Sequence, residues 1–255
     1  MHDHYNQYRI CSQILKNANI FSFEISIAQE LTINRSGHLK VQLLKIDLHV
    51  HTTGLSPDST LNPEVAIQTA ISLGLDGICF TEHDRAWELP AVTELSVKYS
   101  FPVFRGVEVM VKEGGEILVF GLHMNFTTVI DIKSLRELAL QANAFMIAAH
   151  PFRGYPCHAL TDFEKAADLV LQRPVFDKVD GLEGFNGRNM EGNNIFACRL
   201  AERLKLPLSG GSDAHAPNEM GKCVTIFEND IRNEAELLGE LKAGRFTGSK
   251  YKGPA

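Results

Sequence analysis

From Lys45 onward the chain alternates short apolar runs with longer amphipathic ones, and this alternation limits the fold more than any other feature. "KIDLHV" reads as a buried strand. "NPEVAIQTAISLG" reads as a helix, with Asn62 as N-cap, Pro63 in the first turn and Gly74 as the stop. "DGICFTEH", "PVFRGVEV", "GEILVFGLH", "AFMIAAHP", "VDGLEGFN", "LPLSGGSDAH" and "KCVTIFE" follow as strands. Between them, "LPAVTELSVKYS", "IKSLRELALQAN", "TDFEKAADLVLQ", "NNIFACRLAERLK" and "NEAELLGELKAG" follow as helices. Connections of helical length imply a parallel sheet covered by helices, an α/β fold. In a chain of 255 residues, seven or eight such strands suggest a closed, distorted barrel, with a doubly wound open sheet as the alternative.

Residues 1–44 differ from the rest. "NIFSFEISIAQELTINRSGHLKVQLL" has enough alternation for a hairpin or an extra strand, and it carries no catalytic pattern. We treat it as an N-terminal extension before a domain over 45–255. The net charge of −6 gives no basic surface for nucleic acid at the level of the whole chain. The five cysteines are widely spaced, without Cys-x-x-Cys, which argues for reduced thiols and a cytoplasmic setting. No apolar run reaches the ~20 residues of a membrane span.

The acids and histidines fall at one topological level. His49 and His51 end the first strand, His83 the second, Glu108 the third, His123 "GEILVFGLH" and His150 "MIAAH"; Asp213 and His215 follow "LPLSGGS". In a parallel α/β barrel the carboxyl ends of the strands form one face, and that face carries the active site. Imidazoles and carboxylates are the usual ligands of Zn²⁺, Mn²⁺ and Fe²⁺. So many donors exceed the needs of one ion, which implies two or three divalent metals with Glu108 as a candidate bridge. Alternation points His49 and His51 to the same side of their strand. The similar pair in "MHDHY", His2 and His4, lies in a polar terminus and reads as solvated.

At "DLHVHT", "SPDSTLNPEVAIQTAISLGLDGICFTEHD", "FRGVEV", "AAHPFR", "GLEGFNGR" and "SGGSDAH" the chain resembles the PHP (polymerase and histidinol phosphatase) superfamily of metal-dependent phosphoesterases. The resemblance covers about residues 45 to 248 and implies a distorted (β/α)7 TIM-like barrel with its metal site at the C-terminal ends of the strands. It implies that His49, His51, Glu108 and Asp213 hold one metal. Glu108 would bridge to a second, shared with His150, and Asp58, His83 and His215 would hold a third. For a further ligand of the second metal it offers two residues, Glu116 in "GGEILVFG" or His123 at the end of that run.

Such a centre would hydrolyse a phosphate ester through a metal-bridging hydroxide held by the ions of Glu108 and Asp213, with no side-chain nucleophile. The serines have no Gly-x-Ser-x-Gly context, and there is no nucleotide-binding glycine motif. Arg153, directly after "HP", and Arg188, in "FNGRN", are the candidates for the substrate phosphate, unless each pairs a nearby carboxylate. Arg85 and Trp87 are expected at the pocket mouth. The expected partner is a small phosphorylated metabolite or nucleotide. No membrane is expected, and nucleic acid enters only as an oligonucleotide end. An amidohydrolase is the second enzymatic reading, although its usual bridging Lys has no counterpart at a strand end. A catalytically silent metal- or phosphate-binding regulatory domain is the third.

Overall fold

The computed structural model describes residues 43–158 and 161–253. The extension expected over 1–44, with His2 and His4, lies outside the described residues except for its last two positions.

The strands are β1 (Leu44–Val50), β2 (Gly77–His83), β3 (Val103–Met110), β4 (Glu116–Phe120), β5 (Phe145–Ala148), β6 (Gly181–Asn186), β7 (Leu208–Gly211), β8 (Cys223–Phe227) and β9 (Phe246–Lys250). The helices are α1 (Pro63–Ser72), α2 (Leu89–Tyr99), α3 (Ile132–Gln141), α4 (Phe163–Val170), α5 (Glu191–Leu204) and α6 (Glu234–Ala243). Four of them, α1, α3, α4 and α6, start at a short polar side chain that caps them. Asn62 Oδ1 accepts from the Glu64 N–H at 2.9 Å, and Asp131 caps α3 through the Ser134 N–H at 2.9 Å. Gly74, at φ 68°, ends α1 in the left-handed conformation that a glycine takes without strain.

One nine-stranded sheet runs in the order β7-β6-β5-β4-β3-β2-β1-β8-β9. Its ends curl together into a nearly closed barrel. The seam joins β1 to the segment after β7, where Asp213 N–H donates to His49 O at 2.7 Å and His51 N–H to Ala214 O at 3.0 Å. The approach is close enough to require glycine. A Cβ at Gly211 would lie 2.3 Å from the His49 Cβ.

Two features depart from an all-parallel barrel. β4 runs antiparallel to both β3 and β5, because a short turn rather than a helix joins it to β3. β8 runs antiparallel to β1 on one side and to β9 on the other. β9, "FTGSK", was absent from the expected strands. Its small polar residues carry no apolar signature, and its place is fixed by pairing with β8.

The core lies in shells around the sheet. Val107, Val119, Met146, Leu182 and Leu200 pack in one cluster, and Ile67, Ile78, Phe80 and Val224 in another. The barrel's upper end is different. There the buried side chains include His49, His51, Glu108, His150 and Asp213.

Candidate metal centre

β1 delivers His49 and His51 to the interior with their Nε2 atoms 3.0 Å apart. β3 brings Glu108 against both, Oε1 at 3.2 Å from His49 Nε2 and Oε2 at 3.2 Å from His51 Nε2. Asp213 Oδ1 completes the group at 3.6 Å from His49 Nε2 and 3.4 Å from His51 Nε2. All four residues are buried.

The other expected donors surround this group. His150 Nε2 lies 3.0 Å from Glu108 Oε1 and 3.4 Å from Glu116 Oε2. His83 Nδ1 is 3.1 Å from Glu108 Oε2. Asp58 Oδ2 stands between His83 Nε2, at 3.4 Å, and His215 Nε2, at 3.1 Å. Four sets of three donors therefore have their ligand atoms within 4.8 Å of one another: His49, His51 and Glu108; His49, His150 and Asp213; His51, His83 and His215; His83, Glu108 and Glu116.

His123 is not in this group. Because β4 is antiparallel, its first residue faces the metal end and the residues beyond its last strand position emerge at the opposite end. Glu116 therefore meets His150, while His123 Nε2 pairs with Glu234 Oε2 at 3.3 Å. The expectation that His123 shares the face of the other histidines is corrected on this point. It assumed parallel strands throughout.

The donor chemistry fits divalent cations. His49 Nδ1 is 2.9 Å from Glu183 Oε1, which fixes the proton on Nδ1 and leaves the Nε2 lone pair pointing inward. His51 Nδ1 is 3.2 Å from Ser56 Oγ, whose own proton goes to Glu82 Oε2 at 2.6 Å. The second imidazole is thereby also set to present Nε2 as an acceptor. Two such nitrogens 3.0 Å apart, with buried carboxylates beside them, repel unless a cation or proton lies between.

The electrostatics agree. Burial disfavours charge on His49, yet Asp213, Glu108 and Glu183 raise its pKa well above the usual imidazole range. For His83, burial is likewise outweighed by Glu108 and Asp58, and its pKa rises to about 9. Burial opposes ionisation of Glu108 and Asp213, but the histidines hold both well below the ordinary carboxylate range. His215 goes the other way. Burial and the neighbouring His51 lower it, and Arg188 adds to this.

Two site residues adopt backbone conformations that side chains usually avoid. His150 has φ 25° and Asp213 φ 55°. Hydrogen bonds hold both: His150 N–H to Glu183 Oε2 at 2.9 Å, and Asp213 N–H to His49 O at 2.7 Å.

Arg153 reaches Asp213 Oδ2, and the same Nη2 lies 3.0 Å from Asn186 Oδ1. Arg188 Nη1 lies 3.0 Å from His215 Nδ1. Arg85, two residues after His83, is exposed. Trp87 is held differently from a free rim residue, because its Nε1–H donates to the buried Glu82 Oε1 at 2.7 Å.

Sequence reasoning passed over Glu183, Glu82, Ser56 and Asn186. Glu183 ties the His49 ring to the His150 backbone, and Asn186 Nδ2–H donates to it at 3.0 Å. Glu82 accepts from the Thr52 N–H and hydroxyl, the Ser56 hydroxyl and the Trp87 indole. The available signal was an acid inside an otherwise apolar strand, since a buried carboxylate needs partners.

Known proteins place this arrangement. The PHP domain family matches residues 47–179, and the family described as PHP-associated matches residues 191–246. No protein with curated annotation matches the chain in sequence. Among solved structures, one from Bacteroides vulgatus is described as a two-domain protein containing a predicted PHP-like metal-dependent phosphoesterase. It superposes with TM-score 0.60 at 21% identity, over 82% of this chain and 65% of that one. A protein from Bifidobacterium adolescentis, provisionally described as a metal-dependent phosphoesterase, gives TM-score 0.50 at 18% identity, over 68% of this chain and 88% of its own. A lesion-specific endonuclease from Pyrococcus furiosus gives TM-score 0.55 at 17% identity, over 81% of this chain and 58% of its own. The family match spans β1 to the approach of β6 and contains the His-x-His pair, His83, Glu108 and His150. The chain belongs to the PHP family.

Proposed function

We propose that the chain is a metal-dependent phosphoesterase that hydrolyses a phosphate ester of a small metabolite or nucleotide. The observation that carries this reading is the convergence of His49 and His51 Nε2 on Glu108 and Asp213, with the Arg153 guanidinium on the same Asp213. When bound, two or three Mn²⁺, Zn²⁺ or Fe²⁺ ions would activate water near neutral pH and offset phosphate charge.

The residues divide as follows. His49, His51, Glu108 and Asp213 hold one ion. Glu108, His150 and Glu116 hold a second. Asp58, His83 and His215 hold a third. Glu183 and Ser56 fix the imidazole tautomers so that Nε2 faces the ions. Arg153, with 38% of its side chain exposed, stands at the rim and binds the phosphate oxygens of the substrate. Arg188 does the same from the loop after β6. The catalytic unit is residues 45–255, acting in the cytoplasm. No described helix is long and apolar enough to cross a membrane.

The test is phosphate release in the presence of Mn²⁺ from a panel of nucleoside monophosphates, 3′,5′-bisphosphates, sugar phosphates and histidinol phosphate. His83→Ala and Asp213→Ala should abolish release while leaving the circular dichroism spectrum unchanged. Full activity in both variants would overturn the assignment.

A further inference from the structure

Beside the cluster lies a cavity of about 890 Å³. His83 forms part of its wall, so the cavity opens directly onto the proposed centre. That size suits a small organic ligand. Its apolar lining comes from Leu55, Pro57, Ala91, Trp87 and Phe126.

The walls are tied together. The loop after β2 and the segment before α3 are joined by Phe126 N–H to Asp84 O at 2.8 Å and by Ala86 N–H to Asn125 Oδ1 at 3.0 Å. Trp87 is anchored at both ends. Its indole N–H holds Glu82 at 2.7 Å, and its carbonyl accepts from Arg105 Nη1 at 2.9 Å. Its ring centroid is 5.5 Å from that of Phe80. A large aromatic surface is thus fixed before any ligand arrives, which lowers the ordering cost of binding.

The charges define the ligand further. Asp84 and Glu88 line the cavity against a single guanidinium, Arg85. With His83 taken up by the proposed centre, two carboxylates to one cation give no net attraction for a second phosphate. An uncharged, flat group fits both the aromatic wall and this balance.

We infer that this cavity is the leaving-group site, and that it selects phosphate monoesters whose alcohol carries an uncharged aromatic or heteroaromatic ring. The inference rests on the phosphoesterase reading for its reaction. In that reaction water adds to phosphorus, the P–O ester bond breaks, and the ring-bearing alcohol leaves with a proton. The ring lies between Trp87 and Phe126 while the phosphate meets the centre past His83.

The experiment compares benzyl phosphate with glycerol 3-phosphate, both esters of primary alcohols, so intrinsic reactivity is similar. Benzyl phosphate should be preferred about tenfold or more in kcat/KM, chiefly through KM. In Ala91→Trp, which fills the cavity, the ratio should fall to about one. A second readout needs no turnover. Trp87 is the only tryptophan of the chain. Benzylphosphonate should change its fluorescence in the presence of Zn²⁺, and ethylphosphonate at the same concentration should not. Hydrolysis of both esters at equal kcat/KM, or a preference kept by Ala91→Trp, would overturn the inference and leave the phosphoesterase reading standing. A fluorescence response to benzylphosphonate without hydrolysis of either ester or of any member of the phosphate panel would support the cavity and overturn the phosphoesterase reading. No hydrolysis and no fluorescence response would overturn both.

Discussion

His49 and His51 point their Nε2 atoms at each other across 3.0 Å, and each ring is held in that pose by an acceptor on its Nδ1. A cation between them converts a repulsion into two bonds, so metal should be a large part of the folded state's stability. Dialysis against a chelator should lower Tm by about 5 °C or more, and Zn²⁺ or Mn²⁺ should restore it. An unchanged Tm after verified metal removal would show that the cluster is stable without a cation.

Glu183 acts behind the donors. Its Oε1 holds the His49 ring at 2.9 Å and its Oε2 the His150 backbone at 2.9 Å. Glu183→Ala should weaken metal affinity by roughly 10- to 100-fold without removing any ligand. Competition with a chromogenic chelator would measure this. Wild-type affinity in the variant would reduce Glu183 to a packing role.

Glu116 and His123 separate cleanly by position. Glu116→Gln should lower the bound metal content and the rate of phosphate release. His123→Ala should leave the metal content unchanged, because it contacts Glu234 at the other end of the strand. Elemental analysis of the two purified variants decides the matter, and metal loss in His123→Ala alone would reverse the assignment.

The same far end predicts a pH effect on stability. Burial opposes ionisation of Glu234, but hydrogen bonds from His123 and Arg105 outweigh it and lower its pKa to about 2. A depressed carboxyl pKa stabilises the fold above the unfolded value of 4.5, and the contribution is lost as pH falls toward 2. The full shift corresponds to about 3 kcal/mol. With 26% of the side chain exposed, screening reduces that to about 1–2 kcal/mol. Glu234→Gln should therefore melt earlier than the wild type at pH 7, and the gap should narrow between pH 4.5 and pH 2. A gap independent of pH would place the effect in packing.

Much of the barrel was legible because its strands are short, apolar and separated by helices with readable caps, as at Asn62 and Gly74. The metal donors were legible because imidazoles at strand ends are chemically conspicuous. Strand direction was not legible at β4. Apolar content does not encode orientation, and only the brief "VKEGG" turn before Glu116 hinted at a hairpin. That single ambiguity moved His123 from one end of the barrel to the other. Glu183 and Glu82 were missed for a related reason. An acid inside an apolar strand marks each as in need of partners, but the partners that give them their roles, His49 for Glu183 and Ser56 for Glu82, lie more than twenty residues away and no local pattern names them.

The contact between Gly211 and His49 also limits how this sequence can drift. Even alanine at position 211 would collide with the backbone that carries the first metal donor. Elsewhere in such a barrel a tight spot harms stability first and activity later. At this seam the two are the same event, so a lineage could not trade one for the other here. A deep mutational scan read for abundance and for metal content should show the two scores falling together at 211.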